Sequence, residues 1–513
     1  MRAIHTAQLS PSDLASMTEE EKLWVYNGLD CCVTAEVLDA LLPQLNETTQ
    51  ATYDFSLALQ APALEMKLRG VLIDQEHRDD ITRLYQATIA RISGNLTRIV
   101  REGIGLPDFL WSSPAQLKRL LHDVLQVPPL KKQSKTTRQW GPVVDRDALE
   151  QLSIHFYAHP IISHVLRLRE LTKKVGVLQT GIDPDGRMRT SYNIAGTTTG
   201  RFSSSLSDYG TGTNLQNIEE LLRSIFVADP TMKLAYIDLE QAESRLVGAI
   251  EWNLFGDSRY LDACESGDLH TTVCRLAWRD LPWTGSLSQD RVIAEKPFYR
   301  QHSFRHMAKV LGHGTNYNGK PHTMSKHTHL DTATIAEFQS AYFRAFPAHQ
   351  RWHQQVAQTL RLQGCLTTLT GRRRWFFGRR NDDATIREAI AYDPQGSVGD
   401  ILNRGMLQVW RDNHCQLLLQ VHDAILVQYP EQSEDRVLPH LLHCIEVPIQ
   451  LRAGRTLLIP AEAKTGWNWS VASEINPDGL IKYKGRDTRT RIRPAPTELD
   501  RSLHPLLLRA ALA

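Results

Sequence analysis

The chain has 513 residues, with 59 Lys and Arg against 57 Asp and Glu and a formal net charge of +2. That length allows several domains with separate cores, and the near balance of charge excludes a uniformly basic nucleic-acid binder while leaving room for local basic patches. Seven cysteines without a C-x-x-C pair indicate neither a disulfide framework nor a zinc site. No run approaches about eighteen consecutive apolar residues, so a soluble cytoplasmic protein without a membrane association is expected.

In chain order, residues 11–45 predict short helices with Ser12 or Thr18 as N-caps. A long amphipathic helix is expected from about Glu76 to Glu102, and a helix opened by Ser-Pro at 113–126 lies within an exposed Pro-, Lys- and Thr-rich region. Helical periodicity returns over 147–178. Lys233-Leu-Ala-Tyr-Ile-Asp238 predicts a buried strand with a carboxylate at its end, and 258–365 is mainly helical. Gln416 to Tyr429 is two apolar runs around His422-Asp423, which predicts a β-hairpin. From Leu480 the chain is basic and Pro-interrupted, which predicts a tail. Basic clusters fall at Lys131-Lys132 with Lys135 and Arg138, at Arg372-Arg373-Arg374 and at Arg379-Arg380; such runs are more often solvated faces than binding sites.

Asp238 and Asp423 share one property: each is an ionisable residue at the end of an apolar strand, where an unpaired charge is expensive. Brought together, two such carboxylates hold a pair of divalent ions about 3.5–4 Å apart, with phosphates and water completing the octahedra. Taken alone, either Asp is as readily a turn cap.

The surrounding residues decide between these readings. Asp238-Leu-Glu-Gln241-Ala-Glu243-Ser-Arg245 resembles motif A of family A (DNA polymerase I-like) DNA polymerases, and Gln420-Val-His422-Asp423 resembles motif C. Arg305-x₃-Lys309-x₃-His313-x₃-Tyr317 resembles motif B, with His where Phe or Tyr is usual, in a His-Gly-x-Asn-Tyr form similar to phage-type members. Positions four apart share a helix face, so the four residues form a stripe of two cations followed by two rings; Gly312 and Asn318 are expected to loosen that helix. Ala424 stands where the family commonly has an acid after the motif C Asp.

The resemblance covers about residues 60–470. It implies an α+β fold, a right-hand arrangement of helical thumb, palm with an antiparallel sheet, and helical fingers, preceded by a small helical exonuclease remnant. The implied boundaries are 1–50 for the remnant, 51–185 for the start of the palm and the thumb, 186–250 for the palm with motif A, 251–365 for the fingers, 366–475 for the palm with motif C, and 476–513 for a basic tail. The segment 131–137 resembles the mobile tip of the thumb. Implied partners are a DNA primer-template and deoxynucleoside triphosphates, and the implied cofactor is two Mg²⁺ ions, with Mn²⁺ equally suited to carboxylate ligands.

By the same resemblance Asp238 and Asp423 bind metal, and Lys309 joins them in catalysis. Arg305, Lys309, His313, Tyr317, His270 (in Gly267-Asp-Leu-His270), Gln241 and Glu243 bind the nucleotide, with Glu243 excluding a 2′-hydroxyl. Arg201 (in Gly196-Thr-Thr-Thr-Gly200-Arg201), Asn214, Gln216, Asn217, Arg245, Arg387, Gln395 and His422 contact DNA. Minor-groove acceptors differ little between base pairs, so such donors check duplex geometry without reading sequence.

Tyr26-Asn-Gly-Leu-Asp30 resembles the third motif of the 3′→5′ exonuclease domain that precedes family A polymerase domains. An earlier Asp-x-Glu segment is not found upstream, so proofreading by this chain alone is not expected. A separate exonuclease polypeptide docking on residues 1–50 is the expected alternative to outright loss. The expected role is DNA synthesis in phage replication, in the host cytoplasm; the competing readings are a single-subunit RNA polymerase and a non-catalytic DNA-binding relative.

Overall fold

A computed structural model describes residues 10–134, 136–299, 302–485 and 489. The chain divides into two compact units, Met1–Gln60 with His270–Ser397, and Ala61–Leu269 with Val398–Ala513. In chain order the principal helices are α1 (Glu19–Leu41), α2 (Gln75–Arg98), α3 (His159–Leu178), α4 (Ala242–Phe255), α5 (Phe304–Asn316), α6 (Thr332–Ala345), α7 (Ala348–Gln363), α8 (Asp383–Asp412) and α9 (Glu434–Ile445). The main sheet is built from β1 (Met232–Leu239), β2 (Gln416–Val421), β3 (Ala424–Pro430), β4 (Ala461–Gly466) and β5 (Ile481–Lys482). No helix among the described residues is long and apolar enough to cross a membrane.

In the second unit these five strands run antiparallel in the order β2-β3-β1-β4-β5. β1 is central, so Leu234, Ala235 and Ile237 are buried, and only near its end does the strand open to solvent, at Asp238. One apolar core joins Ile81, Tyr85 and Leu96 of α2, Ile162, Leu168 and Leu171 of α3, and Leu234, Leu419, Leu426 and Trp469 from the sheet side. Each such fully buried side chain contributes about 1.5–3 kcal/mol of transfer free energy, which fixes the sheet's register, since a slip by one residue would turn every inward side chain outward. The helix Arg259–Glu265 packs onto α4 at Gly248, where a Cβ would stand 2.7 Å from the Leu261 Cα.

In the first unit α5 packs on α6 and α6 on α7, while α7, the hairpin Cys365–Thr367/Arg373–Trp375 and the first half of α8 close around Leu360, Phe376, Ala389 and Tyr392. The N-terminal helices differ from expectation: α1 is a single helix of 23 residues, capped by Thr18, whose Oγ1 accepts from Glu21 N at 3.2 Å while Glu21 Oε2 accepts from Thr18 N at 2.8 Å. Ser12 lies inside the short helix Pro11–Ser16 and is not its cap.

The compact units and the sheet divide the chain along other lines than the expected boundaries. Residues 366–397 group with the first unit, not with the motif C strands, because they fill the core under α7. Residues 251–269 group with the sheet-bearing unit, because the helix Arg259–Glu265 needs α4 to cover it. The tail begins later than Leu480: that residue is buried, and Ile481–Lys482 pairs with Thr465 and Lys464 as the sheet's edge strand. The edge of β4 would otherwise leave backbone groups without partners. Lys135 and most of the segment after Gly485 lie outside the described residues. The rest of the Lys/Thr-rich region forms an exposed two-stranded ribbon, Lys131–Gln133 against Trp140–Pro142, with Lys132 Nζ 2.8 Å from Asp145.

Candidate functional site

β2 and β3 are joined by His422-Asp423 alone, with Val421 paired to Ala424. His422 takes φ 56°, a left-handed conformation that costs a non-glycine residue free energy. β3 lies beside β1 with Ala424 opposite Asp238, and Leu239 N donates to Asp423 O at 3.3 Å. The hairpin turn therefore brings Asp423 alongside Asp238, two residues far apart in sequence.

The electrostatics follow from that closeness. Asp238 is open to solvent at the strand end, yet enough protein surrounds it that desolvation, followed by the negative charge of Asp423, pushes its carboxyl up to about 6. Glu462 and Glu240 add to the effect, and Lys464 opposes it. Glu462 is directly opposite Asp238 on β4, on the flank away from Ala424. Residues directly opposite in an antiparallel pair share a face, so a third carboxylate stands beside the pair although Ala424 supplies none.

Arg201 provides a cation. Its Nη2 lies 2.8 Å from Glu243 Oε1 and 3.0 Å from Asp423 Oδ1, tying the start of α4 to the hairpin turn. Gln241, between Asp238 and α4, is held at φ 53°, ψ 32°, and its Oε1 is buried with no hydrogen-bond partner among the described residues. Arg245 is buried and donates from Nε to Glu240 O at 3.2 Å, so it braces this turn from inside instead of lining a surface.

Beneath the turn, Gln420 Nε2 donates to His422 O at 2.7 Å, and Gln420 Oε1 accepts from Gln216 Nε2 at 2.6 Å. Tyr192 Oη accepts from Gln420 N at 3.0 Å and donates to Gln420 O at 3.1 Å; burial pushes that phenol well above its ordinary range. Asn214 Oδ1 accepts from Gln216 N at 3.1 Å and Ser204 Oγ at 2.6 Å. Gln216 is thus buried support for the turn, and Asn217 beside it is exposed.

In the first unit α5 is continuous through Gly312 and stops at Asn316; Asn318, at φ 55°, lies past its end. Ser303 caps its start, accepting from His306 N at 3.1 Å. Met307, Ala308, Leu311, Gly312 and Thr315 are buried, which turns Lys309 and His313 outward and leaves Arg305 and Tyr317 half-buried. The Arg305 guanidinium is 3.7 Å from Glu295, and the His313 and Tyr317 rings meet edge-on at 4.9 Å. Asn316 locks the helix end: its Oδ1 accepts from Tyr342 Oη at 2.8 Å and His349 Nε2 at 2.9 Å, and its carbonyl from His353 Nε2 at 2.8 Å. His270 begins this unit's main segment, near the start of the helix Leu269–Ala277; Arg387 and Gln395 lie on α8, half-buried. Tyr26 and Asp30 are exposed on α1.

Glu462, Tyr192 and the role of Gln420 escape the sequence reading. The alternation Ala461-Glu-Ala-Lys-Thr-Gly signals a strand, but which residue Glu462 faces is a matter of pairing.

The site is thus an antiparallel sheet that presents Asp238 at the end of its central strand beside Asp423 in the neighbouring hairpin turn, braced by Arg201 and a buried amide network. In fold the chain is similar to the structure described as the POL domain of Pol1 from M. smegmatis in complex with DNA primer-template and dNTP, with a TM-score of 0.65, 24% identity, and coverage of 80% of this chain and 70% of that one. The family model of DNA polymerase family A matches residues 78–471; the chain belongs to that family. Similar curated proteins include the thermostable DNA polymerase I of Thermus caldophilus, 27% identical over 483 residues, covering 88% of this chain and 50% of that protein. DNA polymerase I of Deinococcus radiodurans is 29% identical over 460 residues, covering 85% and 44%. The chain thus spans about half the length of the curated relatives it matches.

Proposed function

We propose that this chain is a DNA-directed DNA polymerase that adds deoxynucleotides to a primer 3′ end on a template. Membership of family A supports the reaction class. The single observation that carries the reading is the meeting of Asp238, at the end of β1, with Asp423, in the turn between β2 and β3, with Asp238 raised to about 6 by burial and by its neighbour's charge. Crowded carboxylate oxygens of this kind suit hard divalent cations, so Asp238 and Asp423 would hold Mg²⁺ or Mn²⁺, two ions in this reading. Such ions, when bound, lower the pKa of a hydroxyl nucleophile and neutralise charge on the phosphates.

The chain's own groups have separate tasks. Arg305 and Lys309 neutralise the triphosphate, where a phosphoryl-transfer site gains most. Glu243, held by Arg201, blocks the space of a 2′-hydroxyl and so selects deoxyribose; a single-subunit RNA polymerase would not keep a bulky acid there. His313, Tyr317, His270 and Gln241 bound the nucleotide, while Asn217, Arg387, Gln395 and His422 face the duplex. Gln216 and Arg245 act through the turns they brace.

Primer extension on a defined template, with deoxy- and ribonucleotides and with Asp423→Asn as control, tests the proposal. Extension restricted to deoxynucleotides and abolished by the substitution supports it; unchanged extension by Asp423→Asn rejects it. A labelled mismatched 3′ end that stays intact supports the expected lack of proofreading. The exposed Leu23, Trp24, Tyr26, Val33 and Val37 of α1 favour a covering partner there, a 3′→5′ exonuclease polypeptide in our reading. The His-Gly-x-Asn-Tyr segment favours phage replication as the setting.

A further inference from the structure

In the second unit, apart from the paired aspartates, three unlike side chains converge. Asp412 is the last residue of α8, and Asn413, at φ 53°, turns the chain towards β2. His440 and Cys444 are four apart on α9 and therefore share one of its faces. His440 Nε2 lies 3.0 Å from Asp412 Oδ2, Cys444 Sγ 3.6 Å from the same oxygen, and Cys444 Sγ 3.5 Å from His440 Nε2.

We propose that Asp412, His440 and Cys444 form a transition-metal site, with Zn²⁺ the cation it suits. A tetrahedral zinc ion bound through O, N and S at ordinary bond lengths sets edges of about 3.3 Å for N···O, about 3.5 Å for S···O and about 3.6 Å for S···N. The three separations here approach that triangle. Hydrogen bonding alone serves it incompletely: one thiol proton and one imidazole proton satisfy two of the three contacts, whereas a single cation satisfies all three at once. The donor set is also selective, since a thiolate with an imidazole favours zinc over the Mg²⁺ suited to Asp238 and Asp423.

Water would fill the fourth position, beside the exposed His414 ring that meets the His440 ring at 4.8 Å and 88°. Occupied, the site would tie the end of α8 to α9 just ahead of β2, the strand whose far end carries the Asp423 turn. Its consequence is stiffness of the platform, with no part in the chemistry.

The test uses the full chain, stripped with a chelator and titrated with Co²⁺ as a spectroscopic probe and then with Zn²⁺. One equivalent of Co²⁺ should give a thiolate-to-metal absorption band, which an all-carboxylate site does not produce, and Zn²⁺ should abolish the band and raise the melting temperature. Cys444→Ser, checked for folding by circular dichroism, should lose the band. Asp412→Asn, which leaves the buried thiol in place, should keep the fold and weaken binding at least about tenfold. A wild-type chain without a stoichiometric thiolate band, or a band that persists in Cys444→Ser, overturns the assignment.

Discussion

Arg201 Nη2 stands 3.0 Å from Asp423 Oδ1, so a guanidinium occupies the flank of the carboxylate that the proposed reaction needs for metal. The same nitrogen reaches Glu243, which makes Arg201 a link between the residue proposed to select the sugar and one proposed to bind metal. Because the cation and a divalent ion compete for Asp423, Arg201→Ala should tighten apparent Mg²⁺ affinity, by roughly fivefold if the ion pair is worth about 1 kcal/mol. It should also slow extension, since Glu243 loses its anchor. Mg²⁺ titrations of single-nucleotide addition give both numbers, and an unchanged Mg²⁺ midpoint would contradict the competition.

Removing the Glu243 side chain opens the space assigned to the missing 2′-hydroxyl. Glu243→Ala should lower the preference for deoxy- over ribonucleotides at least about tenfold, a change of 1.4 kcal/mol in discrimination. The ratio of kcat/KM values for dATP and ATP reads it directly. A preserved ratio would remove Glu243 from sugar selection.

His313 is exposed near the end of α5 with its ring edge against Tyr317. His313→Tyr alters the stacking surface offered to the incoming base or sugar while leaving the buried face of the helix alone. The proportion of dideoxy- to deoxynucleotide incorporated should change about tenfold; identical ratios for the two proteins would discard the assignment.

The Asp238 carboxyl, raised to about 6, sets two pH effects of opposite practical sign. In the proposed site metal would have to displace its proton, so extension at limiting Mg²⁺ should climb as pH rises through about 6 and level off above. For the metal-free fold, a carboxyl raised on folding gives a stabilising contribution that is complete below the ordinary value of 3.8 and lost as pH rises through about 6. Asp238→Asn should therefore stabilise the chelated protein at pH 8, by about 1 kcal/mol given the screening of an open carboxylate. Urea melts in chelator at pH 8 and pH 3.5 compare the two regimes; no gain at pH 8 would mean that the repulsion is already compensated.

His353 behaves the other way. Burial pushes its imidazole down to about 4 while Nε2 donates to Asn316 O. A histidine lowered on folding gives stability present above its ordinary value of 6.5 and lost as pH falls towards 4. The first unit should lose about 1–3 kcal/mol over that interval, and His353→Gln, which keeps an N–H donor without titrating there, should lose less. Equal losses in both proteins would point to other groups.

Tyr192 makes both of its hydrogen bonds to the backbone of Gln420, under the turn that carries Asp423. Tyr192→Phe leaves a buried N–H and C=O without that partner and should cost about 1–3 kcal/mol. In the folded variant kcat should fall more than KM rises, because the loss is in placement of Asp423. A change confined to KM would argue against this positioning role.

Much of this molecule is written locally. The apolar run ending in Asp238, the two runs around His422-Asp423, the Thr18 cap and the stripe from Arg305 to Tyr317 are all periodicities or short motifs, set by which face of a strand or helix avoids water. They suffice for the α+β class, the family, and the two carboxylates. Pairing is another matter, because it depends on residues hundreds of positions apart. Nothing near Glu462 says that it stands opposite Asp238, nothing near Arg201 says that it spans Glu243 and Asp423, and the spacing of the cysteines gives no hint that Cys444 meets His440 and Asp412. Likewise the edge of β4 drew Ile481–Lys482 out of an expected tail, since open backbone groups seek partners wherever the chain can supply them. Sequence set the faces and the end groups; the folded sheet, through register and burial, decided which charges became neighbours.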